Sequence, residues 1–590
     1  MNTGNTDTQL ISRLFFRLLP IQILLGLVAA VNGTVSGLFG SNFAGAEAMS
    51  AIGLYGPISM FLGAVSTIFV GGSQIICGKL MGRNESEKTQ DIFVLDLLTV
   101  AAISGCAILI LTAGAFTGLT RVLAADPVTR ETLNRYIFGQ MIGLLPMMLG
   151  QQLAAFLSLE NGTRRTTAAS LVCVAVNVLM NVLFVVVLKM GAFGLGLASS
   201  LGMWAFFGVQ AGYYFTGKSF FKLDFKTGNR SAVPEIIRTG YPGALTFLYQ
   251  TIRGLIVNGL IVRYVGVFGL SSFAASDSIL RLFWTIPFGM VAVSRMLMSI
   301  SIGEEDRKSL TDVMRVAMFR CIPLMCAISA LIMALAVPFT RMFYRDPSDP
   351  VYGITVMAFR LLPVCMPLSI ICLHITCYAQ ASGKQLLVHI LSILDGVINV
   401  AGFSALLVPS MKMNGVYTAN ILNGVVGCIV PVIYSMAVRK QFPKNMEELM
   451  VIPDDFGVEE SARIDISVRE MPEVMKVSQQ VVEFCRAREI DGRRAYFAGL
   501  FLEEMAGNVV AHGFTKDSKP HTVDIRVVHK ADDVILRIKD DCVPFDPAER
   551  KDLTDPNDKV KNIGIRMVYK GAKNIQYRNI LGLNVLTIRI

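Results

Sequence analysis

The chain has 590 residues, of which 53% are hydrophobic, and a formal net charge of +10. The length exceeds one ordinary domain and the apolar fraction exceeds that of soluble proteins, so the composition predicts a polytopic membrane protein. No basic run with interleaved aromatic residues occurs, which argues against a nucleic-acid partner. The 11 cysteines are scattered without the spacing of a metal site, and we expect them to be reduced.

Apolar runs long enough to cross a bilayer, which needs about 20 residues per helix, occur along the first three quarters of the chain. They begin near Leu14, Ala51, Ile92, Tyr136, Thr166, Ala192, Ile236, Ser271, Val313, Tyr352, Leu386 and Gly415. No cleavage site follows the first run, so we expect it to remain as a membrane anchor. These runs predict a polytopic α-helical protein with two six-helix lobes, residues 1–216 and 235–440, joined by a cytosolic linker at 217–234.

The side of the membrane on which each loop lies is indicated by Lys and Arg, which are retained on the cytosolic side of short loops. The even-numbered loops and the tail are richer in these residues than the odd-numbered loops, with examples at Arg83, Lys88, Arg164, Arg165, Lys218, Lys226, Arg307, Lys384 and Arg439. We therefore predict that both termini are cytosolic and that the protein lies in the cell's inner (cytoplasmic) membrane.

Several glycine-bearing segments occur along the predicted membrane region. They are VNGTVSGLFGSNFAGAEAMSAIGLYGPI (31–58), GGSQIICGKLMGRNESEKTQ (71–90), LENGTRRTTAAS (159–170), KMGAFGLGLASS (189–200) and IRTGYPGA (237–244). As a set they resemble the multidrug and toxic compound extrusion (MATE) family over roughly residues 10–440. The resemblance implies a V-shaped pair of lobes that exports small organic solutes, such as xenobiotics, by antiport against a proton or sodium gradient.

Two positions depart from the MATE pattern. The family usually carries an aspartate in the first helix, where this chain has Asn32, and another in the fifth helix, where it has Asn181. An amide cannot titrate, so the usual proton coupling of the N-terminal lobe would need another group. Asn32 and Asn181 remain candidates for lining the transport cavity.

Ionisable residues inside membrane helices are costly and are functional candidates by default. Three acids qualify, namely Asp96, Asp277 and Asp395. Asp277 and Arg281 are spaced i, i+4, which predicts either a structural ion pair or a coupling or substrate-binding pair. Asp395 has no cation at helical spacing apart from the more distant His389, and it is the better single candidate for ion coupling.

Three arginines fall in helices of the second half, at Arg253, Arg263 and Arg295. If they face a cavity, they favour anionic or zwitterionic substrates over the cationic drugs typical of the family. Alternatively, Arg263 and Arg295 extend from helix ends toward water.

Beyond residue 454 the pattern becomes that of a cytosolic α/β domain, residues 463–590, which follows a linker at 441–462. Alternating hydrophobic residues predict strands, and a 3.6-residue period predicts helices. The strands fall at 463–470, 522–530, 533–540 and 584–590, and the helices at 471–489 and 493–511. These elements predict a mixed sheet with helices on one face.

Three motifs of this domain suit nucleotide chemistry. Glu504 and Asn508 lie four residues apart on one predicted helix, a spacing that allows a magnesium-binding amide beside a general base. Asp540 ends a strand, where its carboxylate can accept a hydrogen bond from an adenine amino group. Gly564 opens a predicted helix whose free N–H groups suit phosphate.

In this order, the motifs resemble the histidine-kinase-like (GHKL) ATPase fold, specifically the anti-sigma-factor serine kinases. The resemblance implies ATP with Mg²⁺ as cofactor, Glu504 as base toward a protein serine, Asn508 as the magnesium ligand and Asp540 as the adenine partner. It also implies a regulatory partner protein bearing that serine, and dimerisation through this domain. Cys542 and Asn562 replace glycines of the family pattern, which constrains the backbone near the nucleotide.

Two hypotheses follow. In the first, the chain is an ion-coupled exporter with a fused ATP-binding regulatory or serine-kinase-like domain. In the second, a transporter-like membrane sensor signals through that domain to a partner. An ATP-driven pump is disfavoured because no GxxxxGK[ST] loop occurs.

Overall fold

A computed structural model describes most of the chain. The described residues are 9–44, 46–83, 85–117, 120, 127–160, 162–216, 219–222, 232–344, 346–516, 520–530, 532–548 and 563–590. They form two compact units, of which one comprises Arg17–Ser158 and Gly162–Ile452 and the other is built mainly from Pro453–Ile590. The first unit is helical and the second contains a β-sheet.

Within the described residues, 12 segments are long and apolar enough to span a membrane. The predicted twelve-helix membrane region is therefore confirmed. The first half contains α1 (Gln9–Phe39), α2 (Ala46–Gly82), α3 (Ser86–Thr117), α4 (Pro127–Leu159), α5 (Thr163–Asn181) and α6 (Gly191–Tyr214). A π-helical segment, Val182–Val187, extends the fifth span beyond Asn181.

The second half follows the same order of spans but divides them more often, because proline and π-helical turns interrupt the α-helical hydrogen bonding. Its helices are α7 (Val233–Tyr264), α8 (Val267–Gly303), α9 (Arg307–Val316), α10 (Ile322–Ala334), α11 (Ala336–Arg341), α12 (Pro350–Leu361), α13 (Cys365–Ser382), α14 (Gln385–Ile393), α15 (Asn399–Met411) and α16 (Met413–Arg439). The π-helical segment Leu394–Ile398 joins α14 to α15 within the eleventh span. The short helix α17 (Met446–Met450) follows, and Glu447 pairs with Arg307 at 2.9 Å.

Helices α2 and α7 cross at glycines, so that their backbones touch. A Cβ atom at Gly240 would overlap the carbonyl oxygen of Ile68, and one at Gly72 would overlap the carbonyl oxygen of Ile236. Small residues allow this close packing between membrane helices, where van der Waals contact rather than the hydrophobic effect drives association.

Replacing Gly240 with alanine should therefore destabilise the membrane region, by about 1–3 kcal/mol as for other overpacked sites. A backbone carbonyl cannot move aside as a flexible side chain can. Gly254→Ala, on the same helix, is the matched control because nothing lies within 4 Å of its Cβ position. Thermal unfolding in detergent should show a lower midpoint for Gly240→Ala only, and equal midpoints for the two variants would contradict the close crossing.

The C-terminal unit has helices α18 (Met471–Arg486), α19 (Gly492–Asn508) and α20 (Ile563–Gly571). Its strands are β1 (Arg463–Val468), β2 (Val523–Lys530), β3 (Asp533–Asp540), β4 (Asn574–Ile580) and β5 (Leu583–Arg589). The strand order is β1-β2-β3-β5-β4. The predicted α/β domain is confirmed.

The prediction of a mixed sheet was wrong, since each pairing of the described strands is antiparallel. The reason is strand β4, which the sequence did not reveal. It forms a hairpin with β5 through Leu581 and Gly582, both with positive φ, as tight hairpin turns require. The hairpin places β5 beside β3 in the antiparallel sense.

The core of this unit lies between the sheet and helices α18 and α19. Alternate residues of the central strands, such as Val527, Leu536 and Ile588, are fully buried against Val481 and Phe501 of the helices. The two-residue period of the strands and the amphipathic helices thus bury one shared apolar layer.

Candidate functional site

The amides of the fifth span form a local hydrogen-bonded pair. Asn181 is fully buried, and its Nδ2 donates to the carbonyl oxygen and to Oδ1 of Asn177 at 2.9 and 3.0 Å. Asn177 in turn donates to Ser199 at 3.4 Å. A carboxylate at 181 could not donate to these oxygens, which explains locally why an amide suits the position. The side chain of Asn32 lies outside the described residues.

Asp395 lies in the π-helical segment of the eleventh span. Its Oδ1 accepts a hydrogen bond from Asn423 Nδ2 at 2.8 Å, and Asn423 Oδ1 accepts one from Asn399 at 3.0 Å. Arg253 donates to the carbonyl oxygen of Asp395 at 3.3 Å. The Asp395 carboxylate is half-buried and is held by an amide from the twelfth span. The sequence did not reveal this polar cluster, because Asn423 lies in a different span. π-Helical turns of this kind are frequent at functional sites.

The other two membrane acids have different surroundings. Asp277 forms an ion pair with Arg281, and both side chains are largely exposed, at 47% and 74%. Asp96 is completely buried, the Ser73 hydroxyl approaches its carboxylate, and no ion pair found among the described residues includes it. A buried carboxyl without a counter-charge is strongly disfavoured as an anion. Only Asp395 combines partial exposure with an ordered amide partner.

In the C-terminal unit, a cavity of about 500 Å³ opens between the end of α19 and the sheet. Asn508 and His512 line it from the helical side, and Asp540, Cys542 and Asn584 from the side of the sheet. The structure therefore brings Asn508 and Asp540 to one pocket. Its volume falls in the range of small-molecule sites, about 300–1,000 Å³.

Asp540 is held at the end of β3 by donors from two directions. Its Oδ1 accepts from Asn584 Nδ2 at 2.7 Å and from the backbone N–H of Cys542 at 3.0 Å. Burial raises the pKa of the Asp540 carboxyl above its ordinary value, while these hydrogen bonds favour the ionised form. Asn584, which Tyr577 also contacts at 2.7 Å, was missed from the sequence because its place opposite Asp540 depends on the register of β3 and β5.

Glu504 lies about one helical turn before Asn508 on α19. It is not among the residues that line the cavity, and its carboxylate packs against Gly564 in the first turn of α20, where a Cβ atom would overlap it. The free N–H groups of a helix start favour a nearby negative charge. The structure thus places Glu504 beside Gly564, and a phosphate reaching that turn would lie next to the Glu504 carboxylate.

The residues present fit a nucleotide. One pocket is bordered by the buried acceptor Asp540, the amide of Asn508 and the ammonium of Lys516. These groups suit, in that order, the adenine base, a metal ion and the phosphates of a nucleotide. Cys542 replaces a glycine of the family pattern, yet its backbone N–H supports Asp540. Asn562 lies outside the described residues.

These observations define the class of protein as a twelve-helix membrane protein with a C-terminal nucleotide-type α/β domain. The MatE family model matches residues 22–183 and 242–402, and the Histidine kinase-like ATPase domain model matches residues 469–590. The chain therefore belongs to the MatE family and carries a histidine kinase-like ATPase domain at its C-terminal end. Both resemblances inferred from the sequence are confirmed, whereas the serine-kinase branch remains a prediction.

Solved structures with a similar fold are transporters. An outward-facing multidrug resistance MATE family transporter of the MOP superfamily aligns with a TM-score of 0.67 at 20% identity, covering 75% of this chain and 100% of its own. A MOP superfamily transporter from Pyrococcus furiosus, whose binding pocket of reverse polarity is said to suggest a different function, aligns with a TM-score of 0.66 at 20% identity, covering 75% and 100%. A mutant MATE transporter from Vibrio cholerae gives 0.68 at 15% identity, covering 74% and 99%. Among curated protein sequences, none matches.

Proposed function

We propose that the membrane region is a secondary active exporter of small organic solutes, including xenobiotics, that exchanges them for protons or sodium ions. The Asp395 cluster carries this proposal. Asp395 is half-buried and bonded to Asn423, whereas Asp96 is enclosed and Asp277 is paired with Arg281. A carboxylate that can be reached, and whose side-chain partner is an amide and not a cation, can take up and release a cation without breaking an ion pair.

We further propose that the C-terminal domain binds ATP with Mg²⁺ and regulates the protein or phosphorylates a serine of a partner protein. In this proposal Asp540 accepts from the adenine amino group, Asn508 holds the metal ion, and Gly564 opens the helix that receives phosphate. Glu504 acts as the base toward the serine. The shared cavity of Asn508 and Asp540 supports it, together with the Glu504 carboxylate beside Gly564. Two copies of this domain would pair.

The excess of Lys and Arg in even-numbered loops supports a cytosolic location for both termini and for the ATPase-like domain. The protein would then lie in the cell's inner membrane, and its nucleotide site would meet cytosolic ATP. Cysteine labelling of the two termini in intact and opened cells tests this orientation.

A membrane sensor is the second candidate, and Asn181 favours it. Its amide donates to Asn177, so this part of the N-terminal lobe is built around a neutral hydrogen-bonded pair rather than a titrating acid. In this alternative, solute binding would change the activity of the ATPase-like domain toward its partner without net transport.

Glu504→Ala separates the two candidates. For an exporter, the full-length variant in proteoliposomes should still move a solute when an imposed pH or sodium gradient drives the exchange, at nearly the wild-type rate, since the gradient supplies the energy. For a sensor, wild-type vesicles should show no flux, and transfer of labelled phosphate from ATP to soluble cell proteins should fall by about 10²–10⁴-fold on loss of the base. Flux that stops only when ATP is removed would contradict both candidates.

A further inference from the structure

A second cavity, of about 340 Å³, lies inside the membrane unit among α1, α2, α4, α5, α6 and α8. It belongs to neither the Asp395 cluster nor the nucleotide pocket. Its polar lining residues include Gln22, Gln74, Gln151, Ser158, Ser170 and Arg295. Leu25, Val70, Met203 and Phe206 add apolar walls. The cavity can therefore hold an apolar body together with a polar group.

The charge among the described residues that line this cavity is positive. Arg295 is charged, and no aspartate or glutamate occurs among the described residues that line the cavity. The buried Nε of Arg295 has no hydrogen-bond partner within the described part of the chain, and the ion pairs found there do not include Arg295. A guanidinium in low dielectric without a counter-charge is costly, and an anionic ligand would supply that charge and accept its N–H groups.

A neighbouring amide strengthens this preference for anions. The Oε1 of Gln151 already accepts a hydrogen bond from Ser66 Oγ at 2.6 Å. The NH₂ group of Gln151 can donate to the acceptor oxygens of a ligand. Donors of this kind suit a carboxylate, sulfonate or phosphate and oppose an ammonium group.

The lining residues also extend from the middle of the helical bundle toward one end. They lie near the middle of α1, α5 and α6 and in the C-terminal parts of α2, α4 and α8. In an up-and-down bundle these ends lie on one side, which the loop charges predict to be cytosolic. We propose that this cavity takes up organic anions from that side, with Arg295 pairing with the anionic group. The direction in which the anion moves rests on the proposed export function, whereas the binding of the anion does not.

Equilibrium dialysis of the full-length protein in detergent tests the proposal with two probes of similar shape and opposite charge, naphthalene-2-sulfonate and 2-naphthylmethylammonium. The sulfonate should bind at least about tenfold more tightly than the ammonium, a difference that one charge-assisted pair can supply. Arg295→Gln should remove most of this preference, and Arg295→Lys should retain part of it. Arg263→Gln, at the exposed end of α7, is the matched control and should bind like wild type.

Gln22→Glu provides an independent test, because it adds a negative charge to the cavity without altering Arg295, and it should weaken sulfonate binding. It also decides the matter if Arg295→Gln does not fold. Equal or tighter binding of the ammonium, or unchanged sulfonate affinity in both Arg295→Gln and Gln22→Glu, would overturn the proposal. Binding of dioctanoyl phosphatidylglycerol without binding of the sulfonate would overturn it too, since the anion would then be a lipid headgroup. Sulfonate binding without flux would uphold this inference and count against export.

Discussion

Replacing Asp395 with asparagine should abolish solute movement driven by a proton or sodium gradient. The Oδ1 of the new amide can still accept from Asn423, which donates to Asp395 at 2.8 Å, so the local geometry should survive. The ability to bind and release a cation is lost, because an amide does not titrate. We expect flux in proteoliposomes to fall by about tenfold or more, toward the leak of protein-free vesicles, as for other functional acids inside membranes.

Asp277→Asn is the matched control for this experiment. Asp277 is also a membrane acid of the second half, but it is exposed and paired with Arg281, and such pairs contribute about 0–1 kcal/mol. Flux should therefore persist in this variant. If Asp395→Asn retains gradient-driven flux while Asp96→Asn loses it, the coupling group is the buried Asp96 and the proposed role of Asp395 is wrong.

The membrane region was predictable because its signal is local. Each span is a run of apolar residues read directly from the sequence, and twelve of them recur in the structure. The π-helical turn at Asp395 was not predictable, since one extra residue in a turn leaves composition unchanged. Nor was the bond from Asn423, because it depends on how the eleventh and twelfth spans pack.

The nucleotide site shows the same limit. The i, i+4 spacing of Glu504 and Asn508 and the strand end at Asp540 could be read from sequence periodicity. Strand β4 was missed because NIQYRNI, residues 574–580, lacks clear alternation and follows a helix closely. Without β4 the sheet could not be known to be antiparallel, and Asn584 could not be placed opposite Asp540.

Asp540→Asn should weaken ATP binding by roughly 10–100-fold. This corresponds to the cost of about 1–3 kcal/mol when a buried polar group faces a group with which it cannot form a hydrogen bond. Asn584 Nδ2 and the Cys542 N–H both donate to Oδ1 of Asp540, so the amide oxygen of the variant must occupy that position. The NH₂ group then replaces Oδ2 and faces the adenine amino group, which places a donor against a donor.

The same geometry predicts that Asp540→Asn changes base preference instead of merely losing affinity. Hypoxanthine carries an oxygen acceptor where adenine carries its amino group, so ITP should bind the variant more tightly than ATP, reversing the wild-type order. Asp541→Asn is the matched control, because the Asp541 carboxylate pairs with His521 at 2.8 Å and does not line the cavity. Calorimetry of full-length wild type, Asp540→Asn and Asp541→Asn with both nucleotides measures the six affinities. If Asp540→Asn binds neither nucleotide, Asp540 has a structural role. If its affinity for ATP is unchanged, Asp540 does not recognise the base.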